Sequence, residues 1–286
     1  MIIAVASGKG GTGKTTVSVN LARVARQSVQ LLDCDVEEPN AHLFLTGELK
    51  AREEVRVPVP EADETLCDGC GECSSFCRYR SLAVIDKSVL TFPELCHGCG
   101  GCIRVCPKGA LSEKGHRIGV IETFQTGHVS LVHGCLDVGV AMAPPLIRAV
   151  KSRIRKGCIS ILDAPPGTSC PVVASVRKTD AVLLVTEPTP FGLNDLALAV
   201  GMVRALGVPF GVLINRSDIG DASVREYCAR EGIPVLMEIP EDRRIAEAYS
   251  RGAPAIAAVP ELSPRFRELA DRLAGLAACH PAEVPA

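Results

Sequence analysis

Apolar residues fall along this chain in short, nearly unbroken runs, separated by stretches in which they recur every three or four positions. Ile2–Ala6, Val29–Cys34, Cys158–Leu162, Ala181–Thr186, Phe210–Asn215 and Val235–Ile239 are the runs, and each has the length of a strand. Runs with no polar alternation predict strands buried on both faces. Thr15–Arg26, Leu193–Leu206, Ile245–Ser250 and Leu262–Ala278 carry the helical spacing. Their alternation predicts an α/β fold, a mostly parallel sheet with helices on both faces. In the last helix Leu262, Phe266, Leu269, Leu273 and Leu276 make one apolar stripe, while Arg265, Arg267, Glu268, Asp271 and Arg272 nearly balance in charge. A membrane-surface helix favours a basic polar face, so this stripe predicts packing on the sheet. His280–Ala286 read as a frayed tail.

Between about residues 60 and 117 that pattern gives way to cysteines. Eight of the fourteen form two quartets related by a shift of 29: Cys67, Cys70, Cys73 and Cys77 become Cys96, Cys99, Cys102 and Cys106. Gly69, Gly71 and Leu82 repeat as Gly98, Gly100 and Leu111. Each quartet reads C-x2-C-x2-C-x3-C, the run that wraps a cubane iron–sulfur cluster and sends its fourth thiolate to the neighbouring one. Zinc usually takes two separated pairs instead. Disulfides are not expected, because Met1 leads straight into an apolar strand with no basic leader, which places the chain in the cytoplasm with reduced thiols. On these residues the segment resembles bacterial two-cluster ferredoxins. That resemblance implies one [4Fe–4S] cluster on Cys67, Cys70, Cys73 and Cys106 and another on Cys96, Cys99, Cys102 and Cys77. Pro107 follows the second quartet, whereas Arg78 stands at the equivalent place after the first.

The N-terminus carries the other chemical signal. Residues 8–15 read GKGGTGKT, a phosphate loop between a strand and a helix. Gly8, Gly10, Gly11 and Gly13 leave N–H groups free to converge on phosphate oxygens, with Thr12 and Thr16 in the same turn. Lys14 is placed for the β- and γ-phosphates of ATP or ADP, and the Thr15 hydroxyl for Mg²⁺. Lys9 makes the loop K-G-G-x-x-K-T-T, and DCDVEEPN and DAPPG follow at the ends of two predicted strands. Together these segments resemble the superfamily of MinD, ParA and the nitrogenase iron protein. The resemblance implies that Lys9 reaches the nucleotide of a second subunit and that Asp35 activates water, with a possible Mg²⁺ contact. It implies also that Asp33 supports the site, that Asp163 holds Mg²⁺, that Gly167 follows the γ-phosphate and that Asn215 reads adenine.

The expected whole is a P-loop NTPase domain over residues 1–59 and 118–286, with a small α+β ferredoxin-like 2[4Fe–4S] domain inserted at 60–117. So short an insert cannot bury an adequate core without metal. The net charge of −2 and the absence of Trp offer no stripe for nucleic acid, and no apolar stretch is long enough for a membrane. Amidoligases that make cobyrinic acid a,c-diamide share the P-loop core. They also need a glutamine-hydrolysing domain, for which no sequence remains.

The leading expectation is a dimer, of identical or of two related chains, in which nucleotide state gates electron transfer through both clusters to a redox partner. The alternative is an iron–sulfur cluster carrier ATPase serving an iron–sulfur partner. Carriers of that type hold the transferable cluster on a closely spaced cysteine pair, but Cys34, Cys135, Cys158, Cys170, Cys228 and Cys279 stand singly. Cys135 and Cys170 are spaced as in the nitrogenase iron protein, which raises a further, bridging cluster on a dimer axis.

Overall fold

In the computed structural model the described residues are Met1–Cys279; the tail expected at His280–Ala286 lies outside them. The chain divides into two compact units. One comprises Met1–Arg52, Ile121–Cys135 and Ile147 onward; the other comprises Glu53–Val120 and Leu136–Leu146. The second is wider than the 60–117 expected from the cysteines alone.

The chain opens with β1 (Ile2–Ala6), α1 (Lys14–Val24) and β2 (Val29–Asp33), followed by the long strand β3 (Glu48–Ala62). Then come α2 (Glu72–Phe76), β4 (Leu82–Ile85), β5 (Ser88–Thr91) and α3 (Gly101–Val105). The long β6 (Leu111–Thr126) turns through two residues into β7 (Val129–Leu136), and α4 (Ala143–Lys151) follows. The remainder alternates: β8 (Ile159–Asp163), α5 (Cys170–Val176), β9 (Ala181–Thr186), α6 (Pro190–Ala205), β10 (Phe210–Asn215), α7 (Ser223–Arg230) and β11 (Val235–Ile239). Helices α8 (Arg243–Ser250), α9 (Ala255–Ala258) and α10 (Leu262–Cys279) close it.

The sheet order is β11-β10-β9-β1-β8-β2-β7-β6-β3. Strands β11 to β7 in that order pair in parallel throughout. Every residue of β2 and β9 is buried, as unbroken apolar runs require of strands covered on both faces. The α10 stripe is buried too: Phe266, Leu269 and Leu273 have no exposed surface, and the helix packs on α1, β9 and β11. Helix α6 starts three residues before its apolar periodicity, because Thr189 caps it by accepting from Gly192 N and Pro190 supplies a preset first turn.

Three strands of the nine-stranded sheet escaped the apolar pattern. In β3 most positions face solvent and nearly half carry charge, so Leu49, Val55 and Val57 do not form a run. Strand β6 was hidden in the same way by Glu113, Lys114 and Arg117 of its exposed half, whereas β7 is largely buried and its apolar run is broken by Ser130 and His133.

In the smaller unit the 29-residue repeat is a structural one. Helix α2 at Glu72–Phe76 maps residue for residue onto α3 at Gly101–Val105. Both start from a left-handed glycine, Gly71 at φ 77° and Gly100 at φ 66°, a conformation other residues rarely adopt. Cys77 O accepts from Arg80 N at 3.1 Å just as Cys106 O accepts from Gly109 N at 3.2 Å. The same turn therefore forms after Arg78 as after Pro107.

Candidate functional site

In the larger unit β1, β8 and β2 lie side by side, so their carboxyl ends deliver three predicted segments to one edge. Asp163 is in register with Val5 on one side and with Asp33 on the other. The phosphate loop follows β1. Gly13 at φ 95° starts α1, and a Cβ there would come within 2.6 Å of the Asn215 amide nitrogen, so the glycine admits Asn215 against the loop. Asn215 Nδ2 donates to Thr12 O at 2.9 Å. A cleft of about 410 Å³ opens over Gly10, Gly11, Gly13, Lys14, Thr15 and Thr16, and includes Asp35 and Asn215. That volume suits a ligand of nucleotide size. Its far wall is Arg216, Pro240, Glu241, Asp242, Ile245 and Tyr249.

The carboxylates divide the work. Asp33, wholly buried, accepts from the backbone N–H of Asp35, Asn40 and Ala41 at 3.0 to 3.1 Å, so it holds the loop after β2 rather than reaching the cleft. Burial first, and then Asp163 beside it, push its carboxyl well above the usual range. Asp163 Oδ1 accepts from Ser18 Oγ at 3.1 Å, while Oδ2 is buried with no partner. A Mg²⁺ ion, directly or through its water, would satisfy this carboxylate oxygen together with the neighbouring Thr15 hydroxyl. Burial raises Asp35 to about 6, with Lys14 pulling the other way. Lys14 is itself buried, which lowers its pKa, while Asp163, Asp35 and Asp33 raise it.

Lys9 Nζ lies 3.3 Å from Glu187 Oε2, and Arg216 holds the other oxygen of that buried carboxylate at 2.9 Å. The sequence alone did not foresee that Glu187, just after β9, and Arg216, just after Asn215, would pair. Gly167 stands at φ 96° with its N–H donated to Ser7 O, on the loop after β8.

The smaller unit brings the quartets together in crossed fashion. One pocket is lined by Cys67, Cys70, Cys73 and Cys106, and a second by Cys96, Cys99, Cys102 and Cys77. Three thiols of each set come from one quartet and the fourth from the other. Among the described residues no three His, Cys, Asp or Glu side chains converge as they would on one metal ion. Each set of thiols rings a space instead, which suits a cubane with one thiolate per iron and not a single zinc ion. Backbone N–H groups already point at sulfur: Ser81 N to Cys77 Sγ, Ala110 N to Cys106 Sγ and Gly98 N to Cys96 Sγ, at 3.3 to 3.5 Å. Such donors stabilise thiolate ligands. Cys34 and Cys228 are buried, and burial pushes both thiols up, Cys228 to about 11. Cys135 and Cys170 are exposed, so neither fills a core.

No helix among the described residues is long and apolar enough to cross a membrane. The family described as the CobQ/CobB/MinD/ParA nucleotide binding domain matches residues 3–255. An uncharacterized protein of Methanocaldococcus jannaschii is 34% identical over 88% of this chain and 90% of its own length. The iron-sulfur cluster carrier protein of Pyrococcus horikoshii is 28% identical over 95% of this chain and 84% of its own. The cell division ATPase MinD of Pyrococcus furiosus superposes with a TM-score of 0.58 at 21% identity, covering 96% of this chain and 98% of that one. The chain belongs to the family of CobQ/CobB/MinD/ParA nucleotide binding domains.

Proposed function

We propose that this chain is an ATP-hydrolysing iron–sulfur protein that handles clusters for a recipient protein. The carrier role, which sequence reading placed second, moves ahead of electron-transfer gating because curated relatives matched over most of both chains are named iron-sulfur cluster carrier proteins. The observation that carries the iron–sulfur part is the crossed lining of two pockets by four thiols each. In this reading Cys67, Cys70, Cys73 and Cys106 hold one [4Fe–4S] cluster and Cys77, Cys96, Cys99 and Cys102 the other. The clusters supply sites for cluster transfer or one-electron exchange.

At the nucleotide cleft the phosphate-loop amides and Lys14 bind the β- and γ-phosphates, and Thr15 and Asp163 Oδ2 position Mg²⁺. Asp35 orients the attacking water and accepts its proton, which its raised pKa favours. Asn215 and Arg216 flank the base. Lys9 must leave Glu187 before it can serve a second subunit's nucleotide, so dimer formation and release of that ion pair are one event.

Nucleotide-gated electron transfer is the second reading. In its favour, both thiol sets are built into folded pockets and no further close cysteine pair exists for a transferable cluster. Anaerobic incubation of cluster-loaded protein with an apo-acceptor and a chelator, with Mg-ATP or Mg-ADP, separates the two. A carrier loses a cluster to the acceptor at a nucleotide-dependent rate. Retention of both clusters, with nucleotide-dependent reduction of an electron acceptor, would overturn the carrier reading.

A further inference from the structure

The 29-residue repeat allows the surroundings of the two thiol pockets to be compared position by position. Asp68 and Lys108 border the Cys67/Cys70/Cys73/Cys106 pocket, and their equivalents at the other are His97 and Tyr79. Lys108 Nζ lies 3.7 Å from Asp68 Oδ2 as an exposed ion pair. Tyr79 and His97 are stacked instead, with ring centroids 3.6 Å apart at 16°. One pair spans each pocket at the same place in the repeat, with different chemistry.

The sulfur hydrogen bonds differ as well. Cys106 Sγ receives the N–H of Ala110 at 3.3 Å. The equivalent residue beside Cys77 is Ser81, which donates its N–H at 3.4 Å and brings its hydroxyl to 3.1 Å from the same sulfur. Ser81 is 3% exposed, so this contact is sheltered from water. Cys96 Sγ also receives Gly98 N at 3.5 Å; in the first half the Asp68 carboxylate takes the N–H of Cys70, the counterpart of Cys99. Charge follows the same direction. Asp68, Glu72 and Lys108 leave one net negative charge around the first pocket, while Arg78 and Glu113 cancel around the second.

Reducing a cluster adds negative charge, so donors to sulfur and fewer neighbouring anions both favour the reduced form. The sulfur donors and the net charge act with the same sign. We infer that the two sites are electrochemically distinct, with the cluster on Cys77, Cys96, Cys99 and Cys102 the easier to reduce. The Ser81 hydroxyl on Cys77 and the extra carboxylate of Glu72 at the first pocket, where the second half of the repeat has Gly101, set the difference. An electron delivered by a low-potential one-electron donor comes to rest there, and the stack marks the end of the unit at which it is held. This rests on the proposal that both pockets hold [4Fe–4S] clusters, and not on which use is made of them.

The test is an anaerobic redox titration followed by EPR on protein whose iron has been counted. About eight irons per chain and two resolved one-electron steps are expected. Ser81→Ala, which copies Ala110, lowers the upper step alone; Ala110→Ser, which copies Ser81, raises the lower step alone. Glu72→Gln, which removes the extra negative charge at the first pocket, raises the lower step toward the upper, and serves if Ala110→Ser disturbs packing. Eight irons with one unresolved step, or steps unmoved by both serine exchanges, would overturn the inference and leave the cluster reading intact. Fewer than eight irons in the unsubstituted protein would instead remove the reading on which it rests.

Discussion

In the larger unit the buried interior is apolar and continuous: Leu31, Leu131, Ile161, Leu183 and Phe266 pack with hardly any exposed surface. In the smaller unit the buried members of the core are Cys73, Leu82, Cys102 and Leu111, and two of these four are thiols assigned to clusters. Its helices α2 and α3 have five residues each, too short to persist by themselves. One unit therefore holds its site on a scaffold that exists without ligand. On the proposed cluster reading, the other holds its clusters with residues that have little else to pack against, so cluster and scaffold stabilise each other.

Removing metal breaks this comparison hardest. Anaerobic chelation should cost the smaller unit its fold, so that amides of α2 and α3 lose hydrogen-exchange protection while those of β1, β8 and β9 keep theirs. Equal protection in both units would refute the contrast. Next in size is Lys14→Gln, which should reduce ATP turnover by on the order of 10²–10³-fold by removing a fixed charge from the transferring phosphate. Iron content should stay unchanged, because the lysine belongs to the other unit. Loss of iron in this variant would show that the units do not fold independently.

Leu269→Ala tests the apolar half. This side chain has no exposed surface, so truncation should cost about 2–5 kcal/mol in denaturant unfolding of the larger unit. The visible absorbance of bound clusters should melt as before. A coincident loss of absorbance would argue for one cooperative block.

The smallest effect is a proton count at the nucleotide cleft. Burial, opposed by Lys14, raises Asp35 from 3.8 to about 6, so its protonated form is favoured in the folded, nucleotide-free protein. That contribution to stability is complete below 3.8 and is lost as pH rises through about 6. Mg-nucleotide favours the carboxylate, so binding near pH 6 should release protons and tighten toward pH 7. Calorimetry in buffers of different ionisation enthalpy measures the release; proton uptake would contradict it.

Much of the nucleotide cleft was legible in sequence because its parts are local: a glycine loop after a strand, and acids at strand ends. Lys14, Thr15, Asp35 and Asn215 all line one cleft. The pairing of Glu187 with Arg216 and Lys9 was not legible, since it joins segments distant in sequence. Strand β3 was missed because an exposed strand needs no apolar run. The crossed cysteine sets were readable from spacing, whereas the stack of Tyr79 on His97 was not. The repeat pairs those positions with Lys108 and Asp68, but only three-dimensional contact shows that each pair meets.

The central claim is that the crossed thiol sets hold two cubane clusters in a chain whose other unit turns over ATP. An anaerobic count of iron and acid-labile sulfide, with zinc measured on the same sample, tests it most directly. About eight irons and eight sulfides per chain are expected, with a Cys106→Ser variant losing the cluster on Cys67, Cys70 and Cys73 rather than the one on its own quartet. Bound zinc without sulfide, or loss of the Cys96, Cys99 and Cys102 cluster in that variant, would contradict the account.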